Sequence, residues 1–140
     1  MSKMIKGGVA GLIATIVLSA MMMLKTKMGM MPELDIIDML ASKMGGATSM
    51  GWIAHFILGI VVYGVGFSLF HKILPGNNLL LKGIIIGVIG WLLMMVVFMP
   101  IMGVGFFGLS MGIMAPVMTL ILHAIFGAVL GGSYKMMLKE

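Results

Sequence analysis

Residues 51–70 read GWIAHFILGIVVYGVGFSLF. The stretch holds no Asp, Glu, Lys or Arg, and His55 is its one basic side chain. An α-helix needs about 20 apolar residues to cross the hydrocarbon core of a bilayer. A lone strand cannot satisfy its own backbone there, whereas a helix can. The stretch is therefore predicted to be a transmembrane helix over about 48–70, stopped by His71 and Lys72. One histidine inside an apolar span is the feature that needs explaining.

Three further runs have the same character, over about 5–24, 79–99 and 113–137. Of the 140 residues 61% are hydrophobic and 9% charged, against about 25% charged in a soluble domain. A water-soluble core of this size could not hide so much apolar surface. The expected fold is an all-α membrane protein, a single integral domain over 1–140 with four transmembrane helices. The first run has Lys3 and Lys6 in front and the small pair Ser19-Ala20 behind, as a signal peptide would. Its apolar core exceeds the roughly 7–15 residues of a signal h-region, so it reads as retained.

The connections differ. Residues 71–78, HKILPGNN, make a short polar turn. Residues 25–47 include MPELDIIDML. Pro32 suits a first helical position, Glu33 and Asp35 suit a first turn, and Leu34, Ile37 and Leu40 share a face. That pattern predicts an interfacial amphipathic helix with an outward acidic segment, Glu33, Asp35 and Asp38. Residues 101–112, IMGVGFFGLSMG, are uncharged and glycine-rich, and are expected to dip into the membrane or cap the bundle. Lys3, Lys6, Lys72, Lys82, Lys135 and Lys139 gather on one side, which places both termini in the cytoplasm.

A shift of 68 positions lays Ile53, His55, Ile57, Gly59, Val61 and Gly64 on Ile121, His123, Ile125, Gly127, Val129 and Gly132. A shift of 76 lays Lys6, Gly7, Gly11 and Ile13 on Lys82, Gly83, Gly87 and Ile89. The four helices are thus expected as two tandem two-helix repeats, about 1–70 and 79–140, related by an axis along the membrane normal. Gly7, Gly11, Gly83, Gly87 and Gly131 are helix-packing candidates, because small residues four apart let backbones approach.

The repeat pairs His55 with His123, each on a glycine-bearing face. Four readings stay open. The imidazoles could link helices by hydrogen bonds. They could hold a haem b or metal axially, with Gly59 and Gly127 leaving room for the macrocycle; no CxxCH is present, so a haem would be non-covalent. They could mark a proton or ion path in a small oligomeric channel or transporter. Copper is the fourth, since the chain has 20 methionines and Met28, Met30 and Met31 cluster on the outer side. Methionine also packs in place of leucine. His71, beside Lys72, reads as solvated; Trp52 and Tyr134 read as interface anchors and Trp91 as packing.

Other chemistry is missing. There is no cysteine, and no span carries Asp or Glu. No nucleophile–base–acid set, phosphate loop or HExxH appears, so an enzyme is not expected. The lysines sit at span ends, which suits anionic headgroups and not nucleic acid.

KGGVAGLIAT, MPELDII, GWIAHFILG, LPG, GWLLMM, FGLSMGIMAP and LHAIFGAVLG cover most of the chain. With these blocks it resembles a family of small bacterial four-helix inner-membrane proteins known as a domain of unknown function. The resemblance implies a multi-pass protein of the bacterial inner membrane and carries over no activity. The leading expectation is a non-enzymatic accessory or oligomer-forming membrane component, a homo-oligomer or part of a larger complex, with a paired intramembrane histidine site.

Overall fold

The computed structural model describes residues 1–139. Four helices are long and apolar enough to span a membrane. They are α1 (Lys3–Lys27), α3 (Thr48–Ile73), α4 (Leu79–Ile101) and α5 (Met114–Leu138), with α2 (Ile36–Ser42) between the first two. No strand is present among the described residues. The protein is an all-α bundle, as the apolar runs require.

Local chemistry sets the ends. Ser2 caps α1 by accepting from the Ile5 N–H at 3.2 Å, and Lys25 and Lys27 complement the dipole in its last turn. Asn78 caps α4 through the Leu80 N–H at 3.0 Å. α2 starts later than expected. Asp35 is its N-cap, accepting from the Asp38 N–H at 3.1 Å, so Pro32 and Glu33 lie in the turn before it. α4 runs through Pro100 instead of stopping there, and residues 94–98 just before it wind as a wider π-helical turn. Residues 58–65 of α3 do the same. Such turns drop the regular i→i−4 ladder and shift the faces beyond them.

Small residues decide the packing order. α1 lies between α3 and α5, and α5 also packs on α4. Gly7 and Gly11 face the backbone of α3 at Gly64 and Gly59. Gly83 and Gly87 face the backbone of α5 at Gly127, Gly131 and His123. A side chain at any of these positions would push two helices apart. The two halves differ in detail, because α3 carries a π-helical stretch where α5 is regular.

Two apolar clusters follow. One holds Ala10, Ala14, Phe67, Phe126, Leu130 and Tyr134. The other, at the opposite end, holds Leu34, Met95 and Met99. Around the second, the segment leading into α2 meets residues 101–112, whose Phe107 packs edge-to-face with Trp91, ring centres 5.7 Å apart. The glycine-rich connection therefore caps this end of the bundle, and α2 lies against the first turns of α3 with Ile37 on Gly51. α3 and α4 meet more loosely, through Tyr63 lying on Gly90.

Candidate functional site

The loose seam between α3 and α4 is one wall of a cavity of about 490 Å³, with α1 and α5 behind it. This volume falls in the range of small-molecule sites, roughly 300–1,000 Å³. The walls are mostly apolar. Leu58, Val62, Leu93 and Val97 line the cavity and are also exposed on the bundle surface. They form the rim of a side opening, and that surface is the one a bilayer would cover. At the α2 end Lys25, Thr26 and Asp35 join the lining.

Both histidines line this cavity. No hydrogen bond or ring stacking joins them among the described residues; the cavity is what they share. His123 stands two residues further into α5 than His55 does into α3.

The hydrogen bonds assign each imidazole a tautomer. The single Ser19 hydroxyl proton goes to the Thr15 carbonyl at 2.7 Å. The contact of 3.1 Å between Ser19 Oγ and His55 Nε2 must then be donated by the histidine. Nδ1 of His55 is left as a lone pair with no hydrogen-bond partner among the described residues. In α5 the Thr119 carbonyl can only accept, so His123 donates from Nδ1 at 2.8 Å. Nε2 of His123 is left as the lone pair. Each ring thus spends its N–H on the scaffold and keeps one acceptor nitrogen. Trp52 packs edge-on against His55 at 5.8 Å and holds it from the side.

Thr119 is itself held. Its hydroxyl donates to the Ala115 carbonyl at 2.7 Å and accepts from the Trp91 indole N–H at 3.0 Å. That indole also donates to the Pro116 carbonyl at 3.1 Å. Trp91 is a packing residue as expected, and it also ties α4 to α5 beside the cavity.

The glycines assigned to a macrocycle have other neighbours. Gly59 borders the cavity, but the side on which a Cβ would stand is filled by Thr15. Gly127 faces the Gly83 backbone. Neither leaves open space. His123, with Nδ1–H on a carbonyl and Nε2 free, has the arrangement usual for a metal-binding histidine. His55 offers Nδ1, beside its own Cβ, which crowds a macrocycle. The donor set fits one axial ligand and not a symmetric pair. Among the described residues no group of three His, Asp or Glu could hold a metal ion. Met28 and Met30 are exposed, while Met31 packs toward Leu34 and Met99, so the three methionines do not close on one point. Lys25 Nζ donates to the carbonyls of Met30 and Met31 at 3.1 and 2.9 Å and straps this turn to α1. Glu33 and Asp38 are exposed, and Asp35 is split between its cap and the cavity mouth.

Two readings are corrected. Tyr134 is not an interface anchor; it is wholly buried between Phe67 and His71, and its hydroxyl has no hydrogen-bond partner among the described residues. His71 is not simply solvated, because its Nδ1 is buried and unpartnered.

Thr15 and Ser19 did not stand out as site residues in the sequence. The signal was present: Gly7, Gly11, Thr15 and Ser19 recur every four residues and make one stripe of α1. All four are buried.

A family model described as Family of unknown function (DUF6789) matches residues 1–140. No curated protein and no solved structure matches.

Proposed function

We propose, for a chain that belongs to the family of unknown function DUF6789, a non-enzymatic membrane component that holds a small apolar molecule bearing a hydrogen-bond donor. The observation that carries this is one cavity, open at its side, lined by two imidazoles that each keep a free lone pair. The ligand enters from the bilayer between α3 and α4. A molecule moving from lipid to an apolar cavity gains no hydrophobic term. Selection therefore rests on fit and on donation of O–H or N–H groups to the imidazoles. An interhelical hydrogen bond in a membrane is worth about 0.6 kcal/mol, reaching about 1.7, and a ligand bond here is of that order. The accessory role expected from the sequence becomes that of a carrier or sensor subunit within the membrane. Its lysine-rich end, with both termini, lies on the cytoplasmic side. The tandem repeat is part of this reading, supported by the parallel use of Gly7 and Gly11 against α3 and of Gly83 and Gly87 against α5.

The test compares 2-naphthol with naphthalene in lipid nanodiscs, each corrected for empty nanodiscs. Protein-containing discs should bind 2-naphthol saturably and about three- to tenfold tighter than naphthalene. The preference should vanish in His55→Leu/His123→Leu. Equal binding of the two probes, or an unchanged preference in the double variant, refutes the reading.

A second reading, a haem or metal held by His123, rests on the Nδ1–H bond to the Thr119 carbonyl. A visible spectrum of protein purified from membranes tests it. A Soret band lost in His123→Ala and kept in His55→Ala supports it; a colourless, metal-free protein removes it.

A further inference from the structure

The cavity is longer than it is wide, and its two ends differ in chemistry. On α1 it touches Thr15, Leu18, Met22, Lys25 and Thr26. That stripe climbs about 16 Å at the α-helical rise, whereas a sphere of the cavity's volume would be only about 10 Å across. The shape is a slot along the bundle axis. About 490 Å³ spread over about 16 Å leaves roughly 30 Å² of cross-section, room for one hydrocarbon chain. The deep end is closed by Tyr63 and Phe126, which pack edge to face at 5.1 Å. The charged side chains of the lining, Lys25 and Asp35, both stand at the α2 end. Both are half-buried, so this end reaches the surface.

Each of these charges has capacity to spare. Lys25 donates two N–H groups to the carbonyls of Met30 and Met31 and has a third to give. Asp35 spends Oδ1 on the Asp38 N–H and keeps Oδ2. No ion pair joins Lys25 to Asp35 among the described residues. A mouth with both signs matches a head group with both signs. A purely anionic head would meet Asp35 as a like charge, and a purely cationic head would meet Lys25. An ammonium that keeps its N–H groups can donate to Asp35 Oδ2, while a phosphate accepts from Lys25. On α4 the rim residues Leu93 and Val97 climb toward the same end. A chain can therefore pass through the seam between α3 and α4 while its head stays at the membrane boundary.

We infer that the cavity takes a single-chain zwitterionic amphiphile of the lysophosphatidylethanolamine class. Its ammonium lies on Asp35, its phosphate on Lys25 and its chain in the slot. The free glycerol hydroxyl of such a lipid is an O–H donor of the kind the imidazoles accept; this part alone rests on the function proposed above.

Palmitoyl-lysophosphatidylethanolamine, hexadecyl sulfate and hexadecylamine share a chain length and differ in head charge. Each is titrated against the full chain in phosphatidylcholine nanodiscs, corrected for empty nanodiscs. The lysolipid should bind saturably and about fivefold tighter than either single-sign amphiphile. Asp35→Asn keeps the cap of α2, because Asn and Asp cap alike. It should weaken the lysolipid about fivefold and strengthen hexadecyl sulfate. Asp38→Asn removes an equal charge nearby but off the cavity lining, and should change nothing. Equal binding of the amphiphiles, or tighter binding of either single-sign one, overturns the inference. So does a loss in Asp38→Asn as large as that in Asp35→Asn, which would mean diffuse attraction with no built mouth. The preference for 2-naphthol over naphthalene is read on the same wild-type discs. If that preference is present and the amphiphiles bind equally, this inference fails and the proposed function stands. If it is absent while lysolipid binding still depends on Asp35, the imidazole reading fails and the mouth stands.

Discussion

Two glycine-to-alanine changes in spanning helices should have opposite signs. At Gly127 an added Cβ would run into the Gly83 carbonyl oxygen, and would stand 2.8 Å from that carbonyl's carbon and 3.0 Å from Ile84 Cα. Carbon atoms rest at about 3.5–4.0 Å. Both neighbours are backbone, so neither can turn aside, and α4 and α5 must separate by at least the difference. Overpacking of this kind costs about 1–3 kcal/mol. Alanine recovers up to about 1 kcal/mol of helix propensity. The net expectation for Gly127→Ala is a loss of about 1–2 kcal/mol. At Gly66 nothing lies within 4 Å of the added Cβ, so Gly66→Ala keeps only the propensity gain of up to about 1 kcal/mol. Reversible unfolding by SDS in mixed micelles reads both variants on one scale. Two variants shifted in the same direction, or Gly127→Ala as stable as wild type, would refute the claim that backbone contact at Gly127 sets the α4–α5 distance.

Ser19→Ala removes the partner of His55 Nε2 and should cost about 0.6–1.7 kcal/mol in the same assay; no loss would mean the bond does not hold α1 to α3. Trp91→Phe deletes the indole donor to Thr119 and Pro116, and should cost about 1 kcal/mol with faster exchange of the α5 amides near Thr119. Unchanged exchange would count against a tie between α4 and α5. Leu34 is 2% exposed at the capped end. Leu34→Ala should cost about 2–5 kcal/mol and raise hydrogen exchange over residues 31–42 while sparing α1; uniform exchange across the chain would contradict a local cap.

The spans were legible because lipid demands long apolar runs, and each of the runs read over about 5–24, 48–70, 79–99 and 113–137 lies within or overlaps one spanning helix. The histidine pair was legible as rare residues on glycine-bearing faces, and both line the cavity. Their hydrogen-bond partners were not. Ser19 looked like part of a processing site, and its role depends on α3 lying against α1. Tyr134 sat near a helix end, where amphipathic aromatics usually meet headgroups; Phe67 and His71 close over it instead. The π-helical turns at 58–65 and 94–98 leave no mark in composition. They supply Leu58, Gly59, Val62, Tyr63, Met94, Val97 and Phe98 to the cavity wall, so the cavity itself could not be read from the sequence.

Central to the proposed function is one free lone pair on each of His55 and His123, on a shared cavity. Solid-state NMR of ¹⁵N-histidine-labelled protein in bilayers, with and without 2-naphthol, tests it most directly. His55 is expected protonated at Nε2 and His123 at Nδ1, with the unprotonated nitrogen of at least one ring shifting as the probe saturates. Rings with the opposite tautomers, or nitrogens of both rings unmoved by bound probe, would contradict it.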